Sequence, residues 1–311
     1  MTLNPRQAYG EELLALGEKN PNVVVLEADL GKSTMSILFG QQFPDRYFEM
    51  GIAEQNMLST AAGLAASGKI AFCNTFSVFI SGRAYDQTRQ AIAIGGLNVK
   101  LCGSSAGLSD FGDGSTHQSV EDIALMTAIP GMTVLTPCDA YETKLAVRAA
   151  AEIPGPVFIR VVRNDLPALL PGDAVFCTKP RVLREGSDVL LLAHGAMTVK
   201  AVEAAKMLEV SNISAAVVNI GTMKPFPYKA VAEMASKFKA IITAEDHSCI
   251  GGLAAATAFA LRQSATPMDY VAIEDSFGQS AKSLSDLMEH YKLTAENIAE
   301  KASDLLRRTV Q

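Results

Sequence analysis

The chain has 311 residues, 49% of them hydrophobic and 19% charged, a globular composition long enough for two cores and without a disordered signature. A net charge of −6 with no block of lysine or arginine excludes a nucleic-acid-binding surface. No apolar run approaches the roughly 20 residues of a membrane span, and the N-terminal residues hold no signal-peptide core.

Short β-branched runs alternate with helical stretches from end to end. In chain order the pattern predicts a strand at 22–27, a helix at 53–66, a strand at 70–74 and a helix at 83–94. A strand at 99–103 and a helix at 120–128 follow, the helix read as opening on a Ser119-x-x-Asp122 capping box. Strands at 132–136 and 157–162 then flank a helix at 140–151. These strands are apolar throughout rather than alternating, as strands buried on both faces of a parallel sheet are. The class is therefore α/β. A proline-bearing connection through Leu166-Pro167, Pro171-Gly172-Asp173 and Lys179-Pro180 has no strong period. After it the pattern restarts more compactly, with strands at 189–193, 215–220, 240–244 and 270–273 and helices at 198–208, 228–238 and 253–263. The expected organisation is a domain over 1–172, a linker over 173–187 and a second α/β domain over 188–311 that carries little evident chemistry. The five cysteines (Cys73, Cys102, Cys138, Cys177, Cys249) are odd in number, scattered and never in a C-x-x-C pair. That argues for a reducing compartment and against structural zinc, so a cytoplasmic protein is expected.

The chemistry concentrates in the first domain. Phe48-Glu49-Met50-Gly51-Ile52-Ala53-Glu54-Gln55-Asn56 reads as a strand end, a glycine turn, and a carboxylate in the first turn of a helix. Taken alone, Glu54 would simply complement the positive helix N-terminus. Two later segments change its meaning: Thr75 to Gln87, which contains Phe76, Phe79 and Arg83-Ala84-Tyr85-Asp86-Gln87, and Gly112-Asp113-Gly114-Ser115-Thr116-His117-Gln118.

In this order and spacing the three segments resemble the pyrimidine-binding domain of thiamine-diphosphate enzymes of the transketolase family. The resemblance continues through Thr136-Pro137-Cys138-Asp139 and Ile159-Arg160-Val161-Val162-Arg163, and reaches Glu245-Asp246-His247-Ser248 and Gly251-Gly252, which match the family's C-terminal domain. It implies a parallel-sheet pyrimidine-binding domain followed by a smaller α/β transketolase C-terminal domain. By the same resemblance Glu54 is the carboxylate that bonds the aminopyrimidine and lets it take the cofactor's C2 proton. Phe76 or Phe79, or even Ile80, gives the pyrimidine its stacking surface, worth roughly 1 kcal/mol beyond burial. Arg83 lines the same pocket, and Asp29 matches a residue near the cofactor. His117 and Asp113 match residues that contact sugar hydroxyls, His117 near the reacting carbonyl. Arg6, Ser33 and Arg163 align with residues that hold the sugar phosphate, a task that guanidinium forks suit. The family's usual histidine at that site corresponds to Gly103, which leaves a sulfonate or an unusual sugar phosphate as possible terminal anions. His194, His247 and His290 are read as structural.

The family's Gly-Asp-Gly with an asparagine roughly 25 to 30 residues on, which binds diphosphate and Mg²⁺, is missing. Gly112-Asp113-Gly114 has no asparagine at that distance, so no metal site is assigned to this chain. A full transketolase also runs to roughly twice this length. The resemblance therefore implies the C-terminal half of a split transketolase. It would move a two-carbon ketol unit from a ketose phosphate to an aldose, and be active only in an α2β2 heterotetramer whose other subunit brings the diphosphate and Mg²⁺. Alone it would form an inactive dimer. The competing readings are a 1-deoxyxylulose-phosphate synthase, a 2-oxo acid dehydrogenase β-subunit, and a non-catalytic paralogue.

Overall fold

The computed structural model describes residues 1–309. Two sheets carry the fold. The first has seven strands in the order Thr222–Lys224, Thr133–Leu135, Val157–Arg160, Val99–Ser104, Ile70–Phe76, Val23–Glu27, Tyr47–Glu49, all parallel except the Thr222–Lys224 edge. The predicted all-apolar strands are buried on both faces, and the alternation assigns each residue a side. Val23, Val25, Phe72 and Cys102 pack with Tyr9, Leu13 and Val147 from the helices Pro5–Lys19 and Ala140–Glu152. Val24, Leu26, Cys73 and Leu101 pack with Met57, Leu58, Ile80 and Ile123 on the opposite face.

The second sheet orders Met268–Ile273, Ala240–Ser248, Val189–Ala193, Ala215–Asn219 and Arg181–Arg184, parallel except for the last. Arg181–Arg184 lies inside the segment read as a linker, and Thr222–Lys224 leaves the second unit to pair with Thr133–Leu135. One apolar cluster also runs from Met57 and Ile123 to Leu190, Val218 and Ile241. The two units therefore share packing as well as chain.

Three local expectations need correction. The 83–94 helix begins earlier, at Phe79, and runs as wide π-type turns (Phe79–Arg83 and Thr88–Ala93) around a short α-helical turn at Tyr85–Gln87. That places Phe79 and Arg83 on one turn. The Ser119-x-x-Asp122 capping box does not form. The helix is Asp122–Ala128 with Glu121 at its N-cap, the Ser119 hydroxyl is buried without a partner, and ion pairing draws the Asp122 carboxylate inward. The helix Pro5–Lys19 went unforeseen although its signals are present: Asn4 Oδ1 accepts from the Arg6 and Gln7 N–H groups, and Pro5 occupies the first turn.

Candidate active site at the strand ends

The C-terminal ends of the parallel strands gather at one edge of the seven-stranded sheet, where open α/β sheets present ligand-binding groups. After Tyr47–Glu49 the chain turns at Gly51 (φ +66°), a left-handed conformation that favours glycine, and Glu54 opens the helix Glu54–Ala66. The Glu54 side chain is 1% exposed, and its Oε1 accepts from Arg83 Nη1 at 2.7 Å. Its Oε2 is buried and has no hydrogen-bond partner. A buried acceptor left unpaired costs on the order of 1–3 kcal/mol, more when charged. At the mouth of a site, such an acceptor is available to a donor from outside.

The aromatic residues converge on the same place. Phe76, at the end of Ile70–Phe76, and Phe79 stack with centroids 6.0 Å apart and planes 16° apart. His117 stands edge-on to both rings, at 6.1 Å and 5.3 Å. The Arg83 guanidinium lies 4.5 Å over the Phe79 ring. Glu54, Arg83, Phe79, Phe76 and His117 thus form one continuous cluster, while Ile80 is fully buried in the core.

A second cluster forms around the first turn of Pro5–Lys19. Arg6 Nε donates to Arg163 O at 3.1 Å, and Arg6 Nη1 donates to Ser33 O at 2.9 Å. Arg163 pairs with the buried carboxylate of Asp110 at 2.6 Å. Arg6 has no ion-pair partner among the described residues, and burial, then the neighbouring Arg163, lowers its pKa. Asp29 is exposed, with φ +60°, beside an open cleft of about 480 Å³ that Lys32, Ser33 and Glu49 also line. Glu49, which sequence reasoning passed over, ties the two clusters: its Oε1 accepts from Asp29 N at 2.8 Å and Gly51 N at 3.1 Å.

Two positions fall outside both clusters. Asp113 is exposed, and no hydrogen bond reaches its side chain among the described residues. Gly103 lies inside the sheet, where a Cβ would come 2.7 Å from both Phe158 and Ser77 Oγ. It is a packing position with no room for a side chain, so it does not explain how an anion site differs.

The sequence reading also missed a buried ionic network between the two units. Arg160, at the end of Val157–Arg160, donates from Nε to Asp122 Oδ2 at 3.0 Å, from Nη1 to Asp246 Oδ1 at 2.7 Å, and from Nη2 to Asp246 O at 3.1 Å. Ser77 Oγ donates to Asp122 at 2.6 Å, and Ala124 N donates to His247 Nε2 at 3.3 Å. Burial opposes the charge on Arg160, and Asp122 and Asp246 more than restore it. Next to this network His194 is fully buried with no hydrogen-bond partner on either ring nitrogen, its Nε2 3.7 Å from the Glu245 carboxylate, and burial, aided by Arg160, lowers its pKa to about 4. An arginine inside an apolar strand was the available signal.

Comparison with known proteins fixes the class. The pyrimidine-binding domain of transketolase matches residues 1–168, and the transketolase C-terminal domain matches residues 178–298. The chain therefore belongs to the transketolase family, is an enzyme subunit of the transferase class, and is built for dependence on thiamine diphosphate. Within the family it corresponds to the C-terminal section of a split transketolase. A putative transketolase C-terminal section from Methanocaldococcus jannaschii is 40% identical over 97% of this chain and 96% of that protein. A 6-deoxy-6-sulfo-D-fructose transketolase subunit from Clostridium sp. (strain MSTE9) is 40% identical over 97% of this chain and 94% of its own. A solved split-gene transketolase, described as an inactive β4 tetramer, superposes with a TM-score of 0.88 at 42% identity, covering 99% of both chains. Such C-terminal sections imply a separate N-terminal partner.

Proposed function

We propose that this chain is the pyrimidine-binding half of a transketolase active site, moving a two-carbon ketol unit from an anionic ketose to an aldose. The observation that carries the reading is the unpaired, buried Oε2 of Glu54 beside the Phe76–Phe79 stack and His117. These residues fit the aminopyrimidine of thiamine diphosphate: Glu54 would accept a hydrogen bond from the ring and hold a proton there, with Arg83 fixing the other carboxylate oxygen. Both phenylalanines would form the stacking wall. When bound, the cofactor supplies the carbanion chemistry. His117 would meet a sugar hydroxyl near the reacting carbonyl, and Asp113 another. Asp29 would border the entry between the two clusters. Arg6, Ser33 and Arg163 would hold the terminal anion, a phosphate or, as in the name of the Clostridium relative, a sulfonate.

Diphosphate and Mg²⁺ would arrive on a separate N-terminal subunit, in an α2β2 assembly, and the chain alone would be an inactive homo-oligomer. The division would be a first domain over 1–172 and a second over 188–311, with Arg181–Arg184 of the 173–187 connection already pairing in the second sheet. No described helix is long and apolar enough to cross a membrane, and the five cysteines are unpaired, which supports a cytoplasmic setting.

The test is ketol transfer from xylulose 5-phosphate to ribose 5-phosphate with thiamine diphosphate and Mg²⁺, by this chain alone and mixed with its N-terminal partner. Turnover in the mixture only supports the reading. Turnover by the chain alone overturns the split. Transfer from a sulfonated ketose but not from the pentose phosphate would move the anion assignment to sulfonate.

A further inference from the structure

After the strand Met268–Ile273 the second unit sends residues 274–283 across the loop that carries Asp113 and His117. Ala281 N donates to Phe111 O at 2.9 Å. Gln118 Nε2 donates to two carbonyls at 3.0 Å each, Asp110 O in its own loop and Gln279 O in the crossing segment. The crossing segment is itself anchored, with Tyr291 OH donating to Phe277 O at 2.8 Å. The approach is close: a Cβ on Gly114 would lie 2.4 Å from Ser280 Oγ, and one on Gly278 1.8 Å from Gln118 Oε1. Gln118 is 3% exposed, directly follows His117, and the loop closes where Ser119 N donates to Gly107 O at 3.1 Å.

A loop of exposed Gly112, Asp113, Ser115 and Thr116 has little apolar burial of its own to hold it. Leu108 and Phe111 anchor its start in the apolar core of the second unit, and the crossing segment holds the rest through Gln118 and Ala281 N. We propose that Gln118 is a positioning residue through which the second unit fixes the loop presenting Asp113 and His117, which gives that unit a part in turnover as well as in packing. The consequence for rate rests on the reading that these two side chains meet the sugar. Misplacing such groups by an ångström can cost about a hundredfold.

Two variants approach the contact from opposite sides. Gln118→Met keeps the volume and removes both donated bonds. Gly278→Ala leaves the loop sequence untouched, and its new methyl displaces the Gln118 amide from the other unit. Amide hydrogen exchange across 107–119, followed in the full chain, reads the positioning without any assay. In both variants exchange there is expected to quicken about tenfold or more while the Glu54–Ala66 helix is unchanged. In the assembled two-subunit enzyme kcat is expected to fall about tenfold or more with thiamine diphosphate affinity unchanged, and the double variant should lose little beyond either single one. Unchanged exchange in both variants overturns the proposal. So does a loosened loop with wild-type turnover. An inactive wild-type assembly with a loosened loop in the variants overturns the functional reading instead and leaves Gln118 as the residue that orders the loop.

Discussion

Two arginine–carboxylate groups sit at the ends of strands in this molecule and behave oppositely. Arg83 and Glu54 face the mouth of the site: the arginine is 48% exposed, and one glutamate oxygen is buried without a partner. Arg160, Asp122 and Asp246 are sealed between the two units, and hydrogen bonds reach all three guanidinium nitrogens and both Asp122 oxygens. Both clusters are built from the same chemical parts. The difference is that the Glu54 oxygen lacks a partner where the aromatic cluster and a half-exposed arginine open to the outside. The sealed network supports the fold, and the open pair is available to a ligand.

The largest expected effect comes from breaking the sealed group. Arg160→Met strands two carboxylates, Asp122 and Asp246, in the interior, and losing one partner of a buried ionic group costs about 3–5 kcal/mol. That is a large share of ordinary domain stability, so the variant should lose most of its midpoint in urea unfolding. Wild-type unfolding would end the structural reading of the network. Glu54→Gln should do the reverse. The amide oxygen still accepts from Arg83 and no buried charge remains, so stability should stay within about 1 kcal/mol while turnover in the assembled enzyme falls by about 10²–10⁴. If unfolding shifts as far as in Arg160→Met, the distinction between the groups collapses.

A pair of titrating groups, one in each unit, gives a subtler contrast. Burial pushes the Glu27 carboxyl up to about 7, against hydrogen bonds from Ser36, Thr34 and the Ala28 N–H. The folded protein therefore keeps a proton that the unfolded chain releases near 4.5, and the stability this adds is complete below that pH and lost as pH rises to 7. His194 runs the other way. Its folded pKa of about 4 lies below its ordinary 6.5, so its contribution is present above 6.5 and lost as pH falls to 4. Each amounts to about 3 kcal/mol at 1.36 kcal/mol per unit. The slopes of these two groups oppose one another over most of the same window, and Glu142 and Glu245, whose carboxyls burial also raises, add to the Glu27 side. Relative to wild type, Glu27→Gln should lose more stability on acidification, and His194→Leu should lose more as pH rises toward 7. Urea unfolding between pH 4.5 and 7.5 checks both, and variant profiles parallel to the wild type would refute the assignment.

The fold was legible in the sequence because parallel strands buried on both faces announce themselves as apolar runs, as Val23–Glu27 and Val189–Ala193 do. Glu54, Phe76, Phe79, Arg83 and His117 were legible because short motifs in fixed order carry them to the same sheet edge. What stayed hidden depends on long-range placement. Asp122 looked like half of a capping box until Arg160, far along the chain, claimed its carboxylate. Gln118 looked like the end of a motif, and nothing local shows that Gln279 waits for it. Gly103 looked like a vacancy at an anion site, and only the Phe158 ring behind it shows that the position is filled from the other side.

The smallest effect separates the two arginines of the second cluster. Arg163 already holds Asp110, so its charge is locally answered. Arg6 donates only to carbonyls, and burial together with the like charge of Arg163 makes its proton easier to lose. An arriving dianion removes that repulsion, so Arg6 rather than Arg163 should carry most of the electrostatic gain on binding. Arg6→Gln should raise KM for a ketose phosphate about tenfold with kcat nearly unchanged, and should flatten its dependence on salt. Folding should not suffer, because the substitution removes one of two neighbouring positive charges. If KM holds steady while Arg163→Gln raises it, the pairing with Asp110 opens when substrate binds, and the free guanidinium of Arg6 serves only to bridge Ser33 and Arg163.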